Sequence, residues 1–257
     1  MIQSDNQLLL LGGDTPSTWI IYNEMVQRFG VFPALIEKPV ARRKLLANRV
    51  KKLGLVAVAN QMAFVVFLRP LIRLYSRRRV GVLRRINGLE AAMPNSDYLH
   101  RVDSVNNQKA QALIAKFNPK VVIVNGTRIL SRKTLAQMSG IVINTHQGIT
   151  PAYRSAHGAY WALYNNDLAH CGVTIHLVDE GIDTGNILAQ VMIAPTAEDN
   201  FVTYTYLLTA AAIEPLAKAI NDAMAGTLQS YPISGQSKLW YHPSFFRYLS
   251  GLLRGVR

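Results

Sequence analysis

Short apolar runs that alternate with helical patterns constrain the fold of this chain more than any other feature of its sequence. The run 8–11 stops at a Gly-Gly turn, and Pro16 then opens a helical stretch over 17–29. Further apolar runs typical of strands lie at 31–37, 120–125, 141–144, 172–179 and 187–193. Strands that alternate with helices build a largely parallel, twisted sheet with helices on both faces. The sequence therefore predicts a Rossmann-like α/β fold.

The remaining patterns define the domain organisation. Helices are predicted at 102–118, 131–138 and 198–224. We expect a main domain over 1–195, interrupted by a basic helical insertion at 38–85. An extension over 196–257 would hold one helix and a short strand or hairpin at 228–242.

Positive charge is concentrated in that insertion. The chain of 257 residues has a net charge of +13, but residues 38–85 alone hold fourteen Lys or Arg and no Asp or Glu. The total charge is typical of a nucleic-acid binder, yet the rest of the chain is close to neutral. A single cysteine, Cys171, and the absence of a secretory leader pattern predict a reducing, cytoplasmic setting.

Polar residues follow the predicted strands at the edge where such folds bind ligands. Asn144 ends one strand and His146 lies two residues later, so on an extended chain both side chains point the same way. An amide donor can stabilise an oxyanion while an imidazole moves a proton, which suits acyl transfer. The alternative is that Asn144 closes a turn and His146 is an ordinary loop histidine.

A second polar stretch, 178–185, follows the strand 172–177. Its sequence, Val-Asp-Glu-Gly-Ile-Asp-Thr-Gly, is typical of a tight loop that holds a carboxylate in a crevice. Such a carboxylate could orient His146 or take a proton through water. Alternatively, the loop is a solvated acidic turn.

The two stretches are more specific together than apart. Asn-x-His, a Tyr-Arg loop with a preceding proline, Gly-Val-Thr-Ile-His and the acidic loop occur in this order. The combination resembles the formyltransferases that use N10-formyltetrahydrofolate, which include glycinamide ribonucleotide, methionyl-tRNA and sugar N-formyltransferases. The resemblance is strong over 119–195, weak over 7–37 and absent over 38–85.

The resemblance implies roles for individual residues. The family's catalytic Asn, His and Asp fall on Asn144, His146 and Asp183. Residues that would bind N10-formyltetrahydrofolate, the cosubstrate, lie on two loops: Gly126, Thr127, Arg128, Ile129, Leu130, Asp179 and Gly181. The chain departs from the common Pro-Ser-Leu-Leu-Pro sequence after the catalytic His, where it has Gln-Gly-Ile-Thr-Pro at 147–151.

The loop that follows His146 contains three residues that are predicted to bind substrate: Tyr153, Arg154 and His157. Arg154 or His157 could touch a substrate phosphate, and a loop-stabilising role for His157 is the alternative. His176 is predicted to be structural or to line the pocket. Since no Cys, His or acidic cluster has the spacing of metal ligands, we expect no metal.

The resemblance implies transfer of a formyl group to a primary amine. We favour an amino sugar carried on a nucleotide or a lipid phosphate and used for surface polysaccharide. The methionyl-tRNA enzymes add a sizeable C-terminal domain where this chain has only 196–257, which disfavours a nucleic-acid substrate. Glycinamide ribonucleotide, methionyl-tRNA and hydrolysis of the formyl donor remain alternatives, as does a non-catalytic scaffold.

The insertion leaves three interpretations open. Residues 53–68 are apolar but shorter than the roughly 20 residues that span a membrane, and they suggest a pair of helices that are basic outside and apolar inside. The pair could pack on the domain with a solvated basic face, lie on an anionic membrane surface, or form a groove for a polyanion. The oligomeric state stays open, a homodimer included.

Overall fold

The computed structural model describes residues 7–40 and 42–257. Nine strands occur in these residues: β1 (Leu8–Gly13), β2 (Ala34–Glu37), β3 (Leu99–Val102), β4 (Val121–Asn125), β5 (Ile141–His146), β6 (Arg154–Ser155), β7 (Gly172–Leu177), β8 (Ile187–Met192) and β9 (Leu239–Trp240). Seven of them form one sheet in the order β3-β2-β1-β4-β5-β7-β8. The first five strands of this order are parallel, and β7 and β8 are antiparallel to their neighbours.

Ten α-helices occur in the same residues: α1 (Pro16–Phe29), α2 (Arg42–Leu53), α3 (Leu55–Ala63), α4 (Arg69–Tyr75), α5 (Arg77–Ile86), α6 (Gln108–Phe117), α7 (Arg132–Leu135), α8 (Gly158–Tyr164), α9 (Thr203–Ala225) and α10 (Phe245–Leu253). α1 begins as its sequence predicts, because the Thr15 side chain caps the helix and Pro16 occupies its first turn. α7 is shorter than the predicted helix at 131–138.

The sheet separates two hydrophobic cores, because alternate residues of each strand point to opposite faces. Leu8 and Leu10 of β1 belong to the larger core, which α1 and α9 cover. Leu9 and Leu11 face the smaller core, which includes Ile114 of α6. The predicted Rossmann-like sheet with helices on both faces is confirmed, and α9 lies in the larger core rather than in a separate layer.

Two features of the sheet were not predicted. Strand β3 was not predicted, because its four residues Leu-His-Arg-Val give no apolar run. β7 runs antiparallel to β5, which periodicity cannot reveal. A short strand or hairpin was predicted within 228–242, and the short strand β9 lies there; it pairs in parallel with β6, and Tyr231 makes an isolated bridge to Ile187.

The basic insertion contains α2 to α5, rather than a pair of helices. α3, a π-helical turn at Phe64–Leu68 and α4 run on as one helix of 21 residues, Leu55–Tyr75, which we call the apolar helix. By length and composition alone, it is the one helix in the described part of the chain that could cross a membrane. The expected apolar interior was wrong, since only 11% of the helix's most apolar 18-residue window is buried.

Candidate active site

Two of the residues predicted to be catalytic lie at the end of β5. Asn144 and His146 are two residues apart on this strand, so their side chains leave the sheet on the same face. β4 pairs with β5 on one side and β7 pairs with it on the other. The sheet therefore holds both groups from two sides.

The third predicted residue, Asp183, reaches the same point from the loop after β7. Its Oδ2 lies 3.3 Å from Nδ1 of His146, and its Oδ1 accepts a hydrogen bond of 3.4 Å from Nδ2 of Asn144. The backbone N–H of Ser155 donates to Oδ2 at 2.9 Å. Asp183 has a left-handed backbone with φ of 51°, which Asp and Asn tolerate better than most residues. The fold thus brings the three residues into contact.

Burial and charge act in opposite directions on this pair. Burial raises the pKa of Asp183, but the nearby His146 and His176 and the N–H of Ser155 outweigh it and lower the pKa to about 2. Burial lowers the pKa of His146 below its ordinary value, and Asp183 and the Tyr153 carbonyl only partly offset this. At neutral pH the pair is a carboxylate beside a neutral imidazole.

The two ring nitrogens of His146 have different partners. Nε2 lies 2.8 Å from the carbonyl oxygen of Tyr153, and since a carbonyl only accepts, Nε2 carries the hydrogen. Nδ1 is therefore the atom that gains or loses a proton, and it faces the Asp183 carboxylate. A proton taken up at Nδ1 is stabilised by that negative charge, so this pair can move one proton during a reaction.

His176 joins the site, beyond what its sequence position indicated. It lies opposite Asn144 on β7, and its Nδ1 donates to the carbonyl of Leu177 at 2.7 Å. Its Nε2 is then an acceptor, and Nδ2 of Asn144 donates to it at 2.9 Å. Had the sequence prediction paired β5 with β7 as antiparallel strands, it would have placed Asn144 next to His176.

Both N–H groups of the Asn144 carboxamide are thereby directed at protein atoms, His176 Nε2 and Asp183 Oδ1. The bond to Asp183 is the longer, at 3.4 Å, and so the weaker of the two. To donate to a developing oxyanion, Asn144 must give up one of these two hydrogen bonds. The geometry favours loss of the longer bond, the one to Asp183.

Asn125 is a polar residue that the sequence prediction missed. It ends β4 and is buried. Its Oδ1 accepts from Thr18 at 3.0 Å and from Ser17 at 3.2 Å, while its Nδ2 donates to Thr145 at 2.5 Å. It therefore ties the start of α1 to β5 between Asn144 and His146. An Asn at the end of the apolar run 120–125 was the available signal.

The first predicted cofactor loop, 126–130, follows β4 directly. Gly126 approaches the turn after β1 so closely that a Cβ on Gly13 would lie 2.6 Å from the Gly126 carbonyl oxygen. Leu130 is buried, and Ile129 is exposed. Residues 126–130 are therefore held closely against the carboxyl ends of the strands, and we call this segment the ledge.

Arg128 of this loop is directed away from the ledge. The buried carboxylate of Glu37 accepts from the Arg128 backbone N–H at 2.6 Å. The guanidinium of Arg128 donates to the carbonyls of Asp103 at 2.9 Å and Lys38 at 2.5 Å. The side chains of Arg128 and Glu37 therefore position the loop, and both the guanidinium and the backbone N–H of Arg128 are bonded within the protein.

The second predicted cofactor loop is folded around Asp179. This carboxylate accepts from the Gly181 N–H at 3.0 Å and from the Thr184 hydroxyl at 2.7 Å. An ion pair of 2.5 Å between Arg132 and Glu180 joins this loop to the segment after Leu130. The two predicted cofactor loops therefore lie next to each other.

The three predicted substrate-binding residues have other partners. Tyr153 is buried, stacks on Trp240 and donates its hydroxyl to Asp167 at 2.8 Å. Arg154 donates to the Ile182 carbonyl at 3.2 Å, and its Nε has no partner among the described residues.

His157 is also engaged by other residues of the protein. Its Nε2 lies 2.8 Å from Nδ1 of His242, and its ring packs on Phe201. Of the three predicted substrate-binding residues, Arg154 is the one whose charge acts on His146. This charge helps to lower the pKa of His146. Tyr153 and His157 are held by the protein.

A cavity of about 670 Å³ lies beside α1 at the β3 edge of the sheet. Its lining includes Trp19, Ile36, His100, Arg101 and Lys109. Arg101 pairs with Asp14 of the β1–α1 turn at 3.0 Å, so the cavity adjoins the carboxyl edge that carries the site. Within residues 7–40 and 42–257, no group of three His, Cys, Asp or Glu residues is arranged to hold a metal ion.

Comparison with known proteins supports the motif. The family model described as Formyl transferase matches residues 82–220, more than half of the chain. Methionyl-tRNA formyltransferase of Chlorobium chlorochromatii is 32% identical over 111 residues, which cover 43% of this chain. The match spans 35% of that relative's length.

Solved structures extend the likeness to nearly the whole fold. A sugar N-formyltransferase from a Shewanella species is similar over 97% of this chain and 87% of its own, with a TM-score of 0.59 and 17% identity. An N-formyltransferase from Helicobacter canadensis, in complex with folinic acid and dTDP-3-aminofucose, is similar over 90% of this chain and 70% of its own. Its TM-score is 0.54 at 13% identity.

Proposed function

Because the chain belongs to the formyl transferase family, we propose that it transfers a formyl group from N10-formyltetrahydrofolate to the primary amine of an amino sugar. The sugar would be carried on a nucleotide or a lipid phosphate and used for surface polysaccharide. The observation that carries this proposal is the convergence of Asn144, His146 and Asp183, in which Nδ1 of His146 lies 3.3 Å from the carboxylate.

The two cofactor loops suit a flat, hydrogen-bonding donor such as a pterin. The backbone N–H and C=O of Leu130 have no hydrogen-bond partner within the described residues, so this ledge can pair with a ring edge that alternates donors and acceptors. The loop around Asp179 would close the opposite side. When bound there, N10-formyltetrahydrofolate supplies the formyl group and N10 as the leaving nitrogen.

The reaction moves one proton, and the protein has a group for it. A primary amine that becomes an amide loses a proton, and N10 gains one as its bond to the formyl carbon breaks. Nδ1 of His146 can take the first proton and return it to the leaving nitrogen, while Asp183 stabilises the transient imidazolium. Asp183 is suited to this because its pKa of about 2 keeps it ionised.

Asn144 supplies the electrostatic part of the mechanism. Negative charge develops on the formyl oxygen when the amine attacks, and a fixed N–H donor at that oxygen lowers the barrier by about 3 kcal/mol. The hydrogen bond from Asn144 to His176 keeps the carboxamide in place, while its longer bond to Asp183 can be exchanged for the oxygen.

The cavity beside α1 supports a nucleotide-linked sugar. Arg101 and Lys109 give it a basic lining, which favours phosphate. Arg101 lies on β3, four strands from β5 in the sheet, a distance of roughly 19 Å at the usual strand spacing. A sugar on a diphosphate can bridge such a distance, with its amine at His146 and its nucleotide at the cavity.

Methionyl-tRNA is the second candidate acceptor, because a relative that aligns with 43% of this chain is named methionyl-tRNA formyltransferase. A direct comparison tests both. Purified protein is incubated with N10-formyltetrahydrofolate and either a panel of amino-sugar nucleotides or charged initiator tRNA, and products are analysed by mass spectrometry. We expect a formyl adduct on an amino sugar and none on methionyl-tRNA.

A further inference from the structure

The apolar helix exposes large hydrophobic side chains at its start and over its second half. They are Leu55 and Val56 at the start, and Val66, Phe67, Leu71, Leu74 and Tyr75 at helical spacing in the second half. Val56 is 82% exposed and Phe67 is 64% exposed. Contiguous apolar patches on this scale mark interaction surfaces rather than ordinary surface variation.

The opposite face of the same helix is fixed to the domain. Phe64 is fully buried between Phe201 and Tyr248. Gln61 donates to the carbonyl of His242 at 3.1 Å, and Ser76, directly after the helix, bonds to Asn200 at 2.9 Å. The helix therefore lies flat along the protein, and it cannot cross a bilayer while this face stays packed.

Arginines lie at the carboxyl end of the apolar face. Arg73, Arg77, Arg78 and Arg85 are exposed. Within the described residues, none of the four has a carboxylate partner, although Arg79 and Arg84 next to them do. No Asp or Glu occurs anywhere in 38–85, so the positive field of this face is not neutralised locally.

The last helix continues the same surface. α10 packs against α3 and the π-helical turn. It leaves Phe246 and Leu253 exposed, at 69% and 92%. Exposed Arg247 and Arg254 accompany them. Apolar side chains with interspersed arginines thus extend across two packed helices.

We propose that the apolar helix and α10 seat this protein on the surface of an anionic membrane. The exposed apolar side chains would enter the boundary between headgroups and acyl chains, and the arginines would contact lipid phosphates. This arrangement is the one expected of an interfacial amphipathic helix: an apolar face inserted in the plane of the membrane, with basic residues beside it.

A second copy of the chain suits this surface less well. An isologous contact would bring the same patch from each copy together, and therefore place the unpaired arginines of one copy near those of the other. Like charges destabilise such a contact, whereas anionic lipid complements it. Binding of this surface to a membrane does not depend on the proposed reaction.

Vesicle flotation tests the proposal with the intact chain. Vesicles of phosphatidylcholine mixed with phosphatidylglycerol are compared with vesicles of phosphatidylcholine alone, at low and at high salt. The double variant F67E/L71E places two charges on the apolar face. The control V31E/L168E makes the same change at two exposed apolar residues outside the insertion and α10. Circular dichroism confirms that each variant is folded.

We expect wild-type protein and V31E/L168E to float with the anionic vesicles at low salt, and F67E/L71E to bind more than about tenfold less. Binding should weaken at high salt and on neutral vesicles. Failure of the wild type to bind anionic vesicles at low salt would overturn the proposal. So would equal losses in the two variants, or sedimentation of the wild type as a dimer that only F67E/L71E dissociates.

Discussion

Asn144 and His176 lie directly opposite each other on the antiparallel strands β5 and β7, with Asn144 Nδ2 2.9 Å from His176 Nε2. His176 is itself oriented by its bond to the Leu177 carbonyl. Asn144, the proposed oxyanion donor, is therefore held by a histidine whose two ring nitrogens are both hydrogen-bonded. His176 acts as a positioning residue for Asn144 in this account.

Replacement of His176 tests that relationship. In H176L the acceptor for Asn144 is lost, the carboxamide can rotate, and we expect kcat to fall about 10- to 100-fold because a displaced donor stabilises the oxyanion poorly. KM for the amine should change little. H176Q restores an acceptor near the same position and should recover most of kcat. Steady-state kinetics with both variants measure this, and equal kcat values for H176L and wild type would contradict it.

Asp183 can be neutralised with little strain. Asn tolerates the left-handed conformation of residue 183, so D183N should fold while losing the charge that stabilises a proton on His146. We expect kcat to fall about 100- to 1000-fold. D103N, which removes an exposed carboxylate paired with Lys38, is the matched control and should keep full turnover. Near-normal activity of D183N would remove Asp183 from the mechanism.

Tyr153 distinguishes a structural side chain from a substrate contact. Y153F removes the buried hydroxyl that donates to Asp167 but keeps the backbone carbonyl that accepts from His146. The free energy of unfolding should fall by about 1–2 kcal/mol, as measured by urea denaturation, while KM and kcat stay within about twofold. A large rise in KM for the amine would show that the hydroxyl contacts substrate.

The His157–His242 pair makes stability depend on pH. Burial, with Arg49 and Arg69 nearby, lowers the pKa of His242 from 6.5 to about 4, and burial beside His242 lowers that of His157 well below its ordinary value. The unfolded chain therefore binds protons more readily, and the free energy of unfolding should fall as pH drops from 6.5 towards 4. His242 alone accounts for about 3 kcal/mol.

Urea denaturation at several pH values measures this loss. In the variant H157N/H242Q neither position titrates, and Asn suits the positive φ of residue 157. The variant's stability should change less between pH 6.5 and 4 than that of the wild type. Equal slopes for the two proteins would show that the pair is not responsible.

The sequence predicted those parts of the molecule that depend on local pattern. Apolar runs locate most strands of the sheet, and residue spacing places Asn144 and His146 on one face. Asn125 was not recognised, and His176 was predicted to be structural or to line the pocket without a role towards Asn144, because these roles depend on a contact between α1 and β4 and on strand pairing. Long-range pairing leaves no periodic signal.

The basic insertion is a second example of what periodicity cannot predict. Periodicity located apolar and basic residues within 38–85 but could not tell which apolar residues face the protein. Phe64 and Phe67 are both phenylalanines three residues apart, yet one is fully buried and the other is 64% exposed. The difference follows from the docking of one helix face on Phe201 and Tyr248.

Transfer of the formyl group to an amino sugar is the central claim, and mass spectrometry of the acceptor tests it most directly. Wild-type protein and D183N are incubated in parallel with N10-formyltetrahydrofolate and amino-sugar nucleotides. The account predicts that an amino sugar gains one formyl group with the wild type and far more slowly with D183N. Unmodified amino sugars throughout, together with formylated methionyl-tRNA or with free formate released without any acceptor, would contradict it.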